Sequence, residues 1–347
     1  MSELVRRPSG EVFARPEIDM TTRFAGVSFP NPVFTASGCA AAGQELDQFF
    51  DISELGGVVT KSIMLSPRSG RATPRMAETP SGMLNSIGLQ GPGIDAFLEK
   101  DLPWLAARGA RAVVSIAGGS IDEYTKLTQK LRGTAVSMIE VNISCPNVED
   151  RGHVFACEPR TAGAVIQAVK RAAPTGVPIF AKLSPDVTDI TSVAQACVSA
   201  GADGLSVINT LLGMVIDTNT MRPALAGVTG GLSGPAIRPV AVRCVWQIRQ
   251  ALPDVPILGM GGIRTGLDAL EFVLAGANAI SVGTAVFGDP SAPIRVLDEL
   301  ARALAERGFR RFEDAISFAH KPPEQRLPQG PDPVGDVLYD EESGPLT

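Results

Sequence analysis

Met138-Ile-Glu-Val-Asn-Ile-Ser-Cys-Pro-Asn147 is the stretch whose reading decides the rest of this chain. Met138 to Ile143 is a short, apolar, β-rich run and reads as a buried strand. Ser144-Cys145-Pro146-Asn147 follows at once, and the proline stops the strand and turns the backbone. A thiol is thereby presented on the loop at the carboxyl end of a strand, where parallel α/β architectures carry out their chemistry. Free cysteine is also a common small, buried hydrophobe, so this stretch alone leaves the catalytic and packing readings open.

Outward from it, the same alternation of short β-like runs and helical patterns repeats. The strands expected are Val33–Ala36, Gly57–Lys61, Ala112–Ile116, Met138–Ile143, Ile179–Leu183, Gly204–Asn209, Ile257–Met260 and Ala279–Val282. Helical periodicity fills most intervals, as in Thr161–Ala172, Ser192–Ala200, Ile237–Leu252 and Gly266–Ala275. Gly201-Ala202-Asp203 and Gly276-Ala277-Asn278 carry helix ends into the next strand. Eight β/α units in one chain point to an α/β fold, a closed (β/α)8 TIM barrel with insertions at its C-terminal face. An open doubly wound sheet is the alternative, but no G-x-G-x-x-G follows the first strand.

Phe24 to Pro32 reads as a short hairpin leading in. Two connections exceed what a helix requires: Ser62 to Trp104, expected to hold a loop and a helix, and the glycine- and threonine-rich Leu211 to Ser233. Insertions of this kind build or cover a site. The division expected is an N-terminal extension (1–19), the barrel (20–318) and a proline-rich, poorly ordered tail (319–347).

Composition narrows the function. The 347 residues are 44% hydrophobic and 20% charged, ordinary for a soluble globular protein. A formal net charge of −6 speaks against a nucleic-acid partner. No apolar run reaches membrane-span length, and the charged N-terminus is no signal peptide. The five cysteines are scattered with no C-x-x-C pair, so no disulfide framework or zinc or iron–sulfur site is readable, and a reduced, cytoplasmic compartment fits. With only His153 and His320 present and no acidic cluster, metal catalysis and a Ser-His-Asp triad are poorly supported.

A barrel would gather the strand-end residues at one mouth: Ser37, Gly38, Lys61, Ser62, Ala117, Gly118, Asn142 to Asn147, Lys182, Ser184, Asn209, Thr210, Gly261, Gly262, Gly283 and Thr284. This set contains no histidine or carboxylate. Lys61 and Lys182 end apolar runs, and a buried ammonium needs an anion or an electron-rich ring; rim solvation is the plainer reading. Asn142 sits inside an apolar run and needs hydrogen-bond partners if buried. The glycines of Gly259-Met-Gly-Gly-Ile263 and Ser281-Val-Gly-Thr-Ala285 serve tight turns, but both together at strands seven and eight favour a phosphorylated ligand. Without histidine or carboxylate, Cys145 is the most plausible base.

Asn142-Ile-Ser-Cys-Pro-Asn147 resembles the active-site loop of class 1 dihydroorotate dehydrogenases. Thr60-Lys-Ser62, Met83-Leu-Asn-Ser-Ile-Gly-Leu-Gln90, Ala181-Lys-Leu183, Ile208-Asn-Thr210, Gly230-Gly-Leu-Ser-Gly-Pro-Ala-Ile237, Gly261-Gly262 and Gly283-Thr284 resemble further motifs of that family. They occur in its order from about residue 22 to about 310. The resemblance implies an FMN-containing barrel that oxidises (S)-dihydroorotate to orotate in pyrimidine biosynthesis. Cys145 would take the proton from C5 while hydride passes from C6 to flavin N5, and Lys182 would stabilise the reduced ring. Lys61, Asn85, Ser86, Ile87, Gly88, Leu89, Asn142, Asn147, Asn209 and Thr210 would hold the substrate. FMN would be bound by Ser37, Lys61, Ser62, Ser115, Asn142, Lys182, Ile208, Gly234, Gly261, Gly262, Gly283 and Thr284.

Within class 1, Asn85-Ser-Ile-Gly-Leu-Gln90 and Gly230-Gly-Leu-Ser-Gly-Pro-Ala236 look most like the NAD-linked type (class 1B). That type is a homodimer paired with a subunit carrying FAD and an iron–sulfur cluster. Two departures fall around the flavin: Ala40-Ala41-Ala42 where the family usually has aromatics, and Ser115 where it usually has asparagine. Dihydropyrimidine dehydrogenases share the barrel but usually read Cys-Pro-His, so a pyrimidine reductase is the enzymatic alternative. A phosphosugar isomerase is the flavin-free one.

Overall fold

The apolar runs close on themselves. In the computed structural model, residues 18–143 and 158–322 are described, with the backbone of two short antiparallel strands, Leu4–Arg6 and Val12–Ala14. Cys145, Asn147, the side chains of the N-terminal extension up to residue 17 and the tail beyond residue 322 lie outside the described residues.

Eight parallel strands form the barrel: β1 (Val33–Thr35), β2 (Val58–Val59), β3 (Ala112–Ile116), β4 (Val136–Asn142), β5 (Ile179–Leu183), β6 (Gly204–Val207), β7 (Ile257–Met260) and β8 (Ala279–Val282). Each pairs with its sequence neighbour, and β8 returns to β1 through Ile280↔Val33. The last gap, between β1 and β2, is bridged at Phe34↔Gly57. Seven of the strands overlap the expected runs closely; β2 is shorter, since only Val58 and Val59 ladder with β3.

Helices cover the outside: α1 (Leu102–Ala107), α2 (Ile121–Lys130), α3 (Pro159–Ala172), α4 (Ile190–Ser199), α5 (Arg238–Ala251), α6 (Gly266–Ala275) and α7 (Ala292–Glu306). Local chemistry fixes their ends. Ser120 and Asp189 cap α2 and α4, and Thr265 with Asp268 forms a capping box on α6. Gly276 ends α6 at φ 119°, in the region where glycine carries no Cβ penalty. No helix among the described residues is long and apolar enough to cross a membrane.

The interior is layered, and the layers follow from the two-residue alternation of strand side chains. Phe34, Val59, Val113, Met138, Phe180, Leu258 and Ala279 form an apolar floor. The hairpin of Thr22–Phe24 and Val27–Phe29 plugs it from below, with Phe24 stacked on Phe29 at 4.7 Å and edge-on to Phe180 at 5.8 Å. On five of the strands the inward face one step nearer the mouth carries Ser115, Glu140, Lys182, Ser206 and Ser281, all buried. The barrel is therefore greasy at its base and polar towards its C-terminal mouth.

The two long insertions meet each other. Within 62–104 lies a hairpin, Met76–Thr79 and Gly82–Asn85, where a loop was expected. Within 211–233 lie Leu211–Gly213 and Gly230–Ser233. They pair as one four-stranded antiparallel sheet, Gly231 against Asn85, above the barrel mouth. Small residues are required there, because a Cβ on Gly231 would stand 2.0 Å from Thr210 Oγ1.

Candidate active site

A cavity of about 1000 Å³ opens between the C-terminal ends of the strands and the cover sheet. Its wall comes from separate β/α units: Ser37 and Cys39 after β1, Lys182 on β5, Ile208 to Thr210 after β6, Gly261 and Gly262 after β7, and Gly283 and Thr284 after β8. Gly234 and the hairpin residues Gly82 and Met83 close it from above.

Beneath the rim a hydrogen-bonded chain joins residues expected at the site. Ser37 Oγ lies 3.2 Å from Ser62 Oγ, which lies 2.9 Å from Ser115 Oγ. Asn142 Nδ2 donates to Ser62 Oγ at 2.9 Å, and Asn209 Nδ2 donates to Asn142 Oδ1 at 3.4 Å. Thus Ser62, Ser115 and Asn142, all buried, organise the cavity base. Tyr124 on α2, itself buried, donates its hydroxyl to Asn142 O at 2.7 Å and anchors the end of β4. Sequence reading missed Tyr124, whose only visible signal was an aromatic residue on the inner face of a helix.

Lys182 meets a partner within the chain. Its Nζ stands 3.7 Å from Glu140 Oε1, with the two side chains 5% and 0% exposed. Glu140 was overlooked because it sits inside the run Met138–Ile143, two positions before Asn142 on the same face. Neither of its carboxylate oxygens has a hydrogen-bond partner among the described residues, nor do the buried hydroxyls of Ser206 and Ser281. Lys61 is half-buried; burial first, and then the like charge of Arg75, holds its ammonium below the usual lysine range. Burial pushes the Cys39 thiol up to about 11, with Lys182 pulling the other way.

Asn85 ends the cover hairpin and Ser86 to Leu89 follow it, rather than forming the cavity wall. Asn85 Nδ2 donates to Gly231 O at 3.3 Å, and Ser86 is buried and accepts from Arg71 at 3.0 Å. Gly88 and Leu89 turn with φ of 76° and 56°, and Arg68 donates to Gly88 O at 3.0 Å. An arginine-braced turn therefore carries Ser86, Ile87, Gly88 and Leu89 next to the mouth. Cys145 and Asn147 fall outside the described residues.

The fit of a flavin nucleotide can be judged from these groups. Gly261 and Gly262 have φ of 132° and 78°, so the main chain after β7 turns as only glycine does readily. Side-chain-free backbone after β7 and β8 is the arrangement that accepts a phosphate in barrels of this kind. The ammonium of Lys182 and the amide of Asn209, both in the cavity wall, suit a polar ring edge. The donor set fits a flavin mononucleotide.

A family profile described as dihydroorotate dehydrogenase matches residues 19–304. A dihydroorotate dehydrogenase B (NAD(+)) catalytic subunit of Geobacter sulfurreducens is 48% identical over 299 residues, 86% of this chain and 97% of that protein. Its counterpart in Pelobacter propionicus is 50% identical over the same shares. That of Desulforudis audaxviator is 47% identical over 88% of this chain and 99% of its own. Among solved structures, a DHODH in complex with ferulenol from Eimeria tenella superposes with a TM-score of 0.73 at 25% identity, covering 88% of this chain and 89% of that one.

Proposed function

Because the chain belongs to the dihydroorotate dehydrogenase family, we propose that it oxidises (S)-dihydroorotate to orotate in pyrimidine biosynthesis, with FMN as cofactor and Cys145 as base. One observation carries this reading: Lys182, the Ser37–Ser62–Asn142–Asn209 chain and the last two glycine turns converge on a single cavity.

FMN, when bound, supplies the two-electron acceptor for the hydride that leaves C6. Gly261, Gly262, Gly283 and Thr284 would hold its phosphate by backbone N–H groups. Gly234, Ile208, Ser37 and Ser62 would position the remainder, with Ser115 acting through Ser62. Lys182 would place a positive charge beside the pyrimidine edge of the ring, where negative charge accumulates on reduction. Lys61, Asn142, Asn209 and Thr210 would orient the substrate, whose carboxylate would give Lys61 an anion to set against its burial and the like charge of Arg75. Asn85 to Leu89 and Asn147 would close around the ring edges. Cys145 removes the C5 proton, and the leaving hydride takes the electron pair from C6, so two hydrogens depart and a C=C bond forms.

The relatives are named catalytic subunits of an NAD(+)-linked enzyme. We infer for this chain a homodimer and a partner subunit bearing FAD and an iron–sulfur cluster, which would take electrons onward to NAD.

The purified protein is expected to be yellow, and dihydroorotate should bleach it without oxygen. Cys145→Ala should retain FMN and lose most of that bleaching. A flavin reduced by dihydrouracil and untouched by dihydroorotate would transfer the assignment to pyrimidine reduction, and a colourless chain with no extractable FMN would end it.

A further inference from the structure

Glu140 is the only acidic residue in any of the eight barrel strands, and it points inward. Below it lies the phenylalanine floor. Ser115, its strand neighbour, has its hydroxyl engaged with Ser62, and the buried hydroxyls of Ser206 and Ser281 have no hydrogen-bond partner among the described residues. The charged group it faces is Lys182, 3.7 Å away. From the loop after β1, Cys39 also faces Lys182, but burial keeps that thiol protonated and uncharged near neutrality.

Neither charge would persist here alone. A buried ammonium without an anion sheds its proton, and a buried carboxylate without a cation gains one. As a pair, each supplies the opposite charge that the other lacks in the interior. At 3.7 Å the carboxylate balances the charge from beyond hydrogen-bond range, so the N–H donors of Lys182 remain directed at the cavity it lines.

We propose that Glu140 is a positioning residue: the buried counter-charge that keeps the Lys182 ammonium charged and aimed at the ligand. Its consequence for catalysis rests on the reading of Lys182 as a flavin contact. Without Glu140, Lys182 turns neutral and the cation that stabilises the reduced ring is lost.

Two measurements on the full-length chain test this, the first independent of flavin. Trace acetylation with acetic anhydride at pH 8, read by peptide mass spectrometry and normalised to the exposed Lys126, reports the unprotonated fraction of Lys182. Glu140→Gln should label at Lys182 at least about ten-fold faster than wild type, one pKa unit being a tenfold change, whereas Glu140→Asp, which keeps the charge, should stay near wild type. Equal labelling of wild type and Glu140→Gln overturns the proposal. Should Glu140→Gln not fold, the wild-type pH profile decides: Lys182 titrating in the ordinary lysine range supports the pair, and titration near neutrality overturns it.

The second measurement is the midpoint potential of bound FMN. In Glu140→Gln it should fall at pH 8 towards that of Lys182→Met and recover on acidification, as Lys182 regains its proton. Added to Lys182→Met, Glu140→Gln should change nothing, because an unpaired Glu140 is already protonated. A potential unchanged or raised at pH 8 overturns the proposal. A labelling difference in a chain that binds no FMN supports the ion pair and refutes the flavin reading, so the two failures are distinguishable.

Discussion

Gly262→Ala is the sharpest probe of the turn after β7. The residue has φ of 78°, and an added Cβ would stand 2.7 Å from Gly234 O and 2.9 Å from Arg238 Cβ. Left-handed backbone costs a non-glycine residue roughly 1–2 kcal/mol. Forcing a methyl group into packed surroundings adds about 1–3 kcal/mol. The 2.7 Å neighbour is a backbone carbonyl, which cannot swing away as a side chain can, so the total falls at roughly 2–5 kcal/mol. Each kcal/mol lowers Tm by about 2–4 °C in chains of roughly 150–250 residues and by somewhat less in a longer one such as this. Gly283 makes the internal control: its φ is −112°, and a Cβ there would meet Ala36 Cβ at 3.1 Å and Cys39 Sγ at 3.4 Å. Differential scanning calorimetry and FMN release on dilution should therefore rank Gly262→Ala well below Gly283→Ala, with FMN bound at least about ten-fold more weakly if 1.4 kcal/mol of the strain appears in the holo state. A Gly262→Ala protein with wild-type Tm and wild-type FMN retention would refute the argument.

Other expectations concern the floor, the anchor and the rim. Phe180→Ala empties a fully buried site touching the plug, and should cost about 3–5 kcal/mol in urea unfolding while leaving the rim residues in place. Tyr124→Phe removes the hydroxyl on Asn142 O, leaving a buried carbonyl short of its donor; a loss of about 1–3 kcal/mol is expected by denaturation, with weaker substrate binding. Lys61 is held low in the free protein, so a bound carboxylate should raise its pKa again and draw in a proton. Orotate should then bind with proton uptake and lose affinity as pH rises through the alkaline range. Calorimetry in buffers of different ionisation enthalpy checks the sign, and proton release would contradict it.

Much of this was legible in the chain because the signal was local. β-branched runs set the barrel strands, and glycines marked the turns after the last two of them. What escaped reading was non-local. The run Gly230 to Ser233 has little β propensity of its own and becomes a strand between two partners, Leu211–Gly213 on one side and Met83–Asn85, 146 residues away at Gly231, on the other. Glu140 carried no mark either, since a carboxylate in an apolar run looks like an isolated polar interruption until β5 brings Lys182 alongside. Ser115, expected at the flavin, also hydrogen-bonds Ser62 Oγ and Ser37 Oγ, which no local pattern announces.

The cover sheet has a kinetic corollary. Each insertion ladders within itself, but the central seam joins the insertion after β2 to the insertion after β6, so the two halves cannot meet until most of the barrel has been synthesised and wound. Long-range pairing of this sort is slow because the chain entropy of closing the loop is spent first. The roof over the cavity should therefore be the last feature to mature during folding, and a shortened insertion in either unit should leave its opposite number unzipped on an otherwise native barrel.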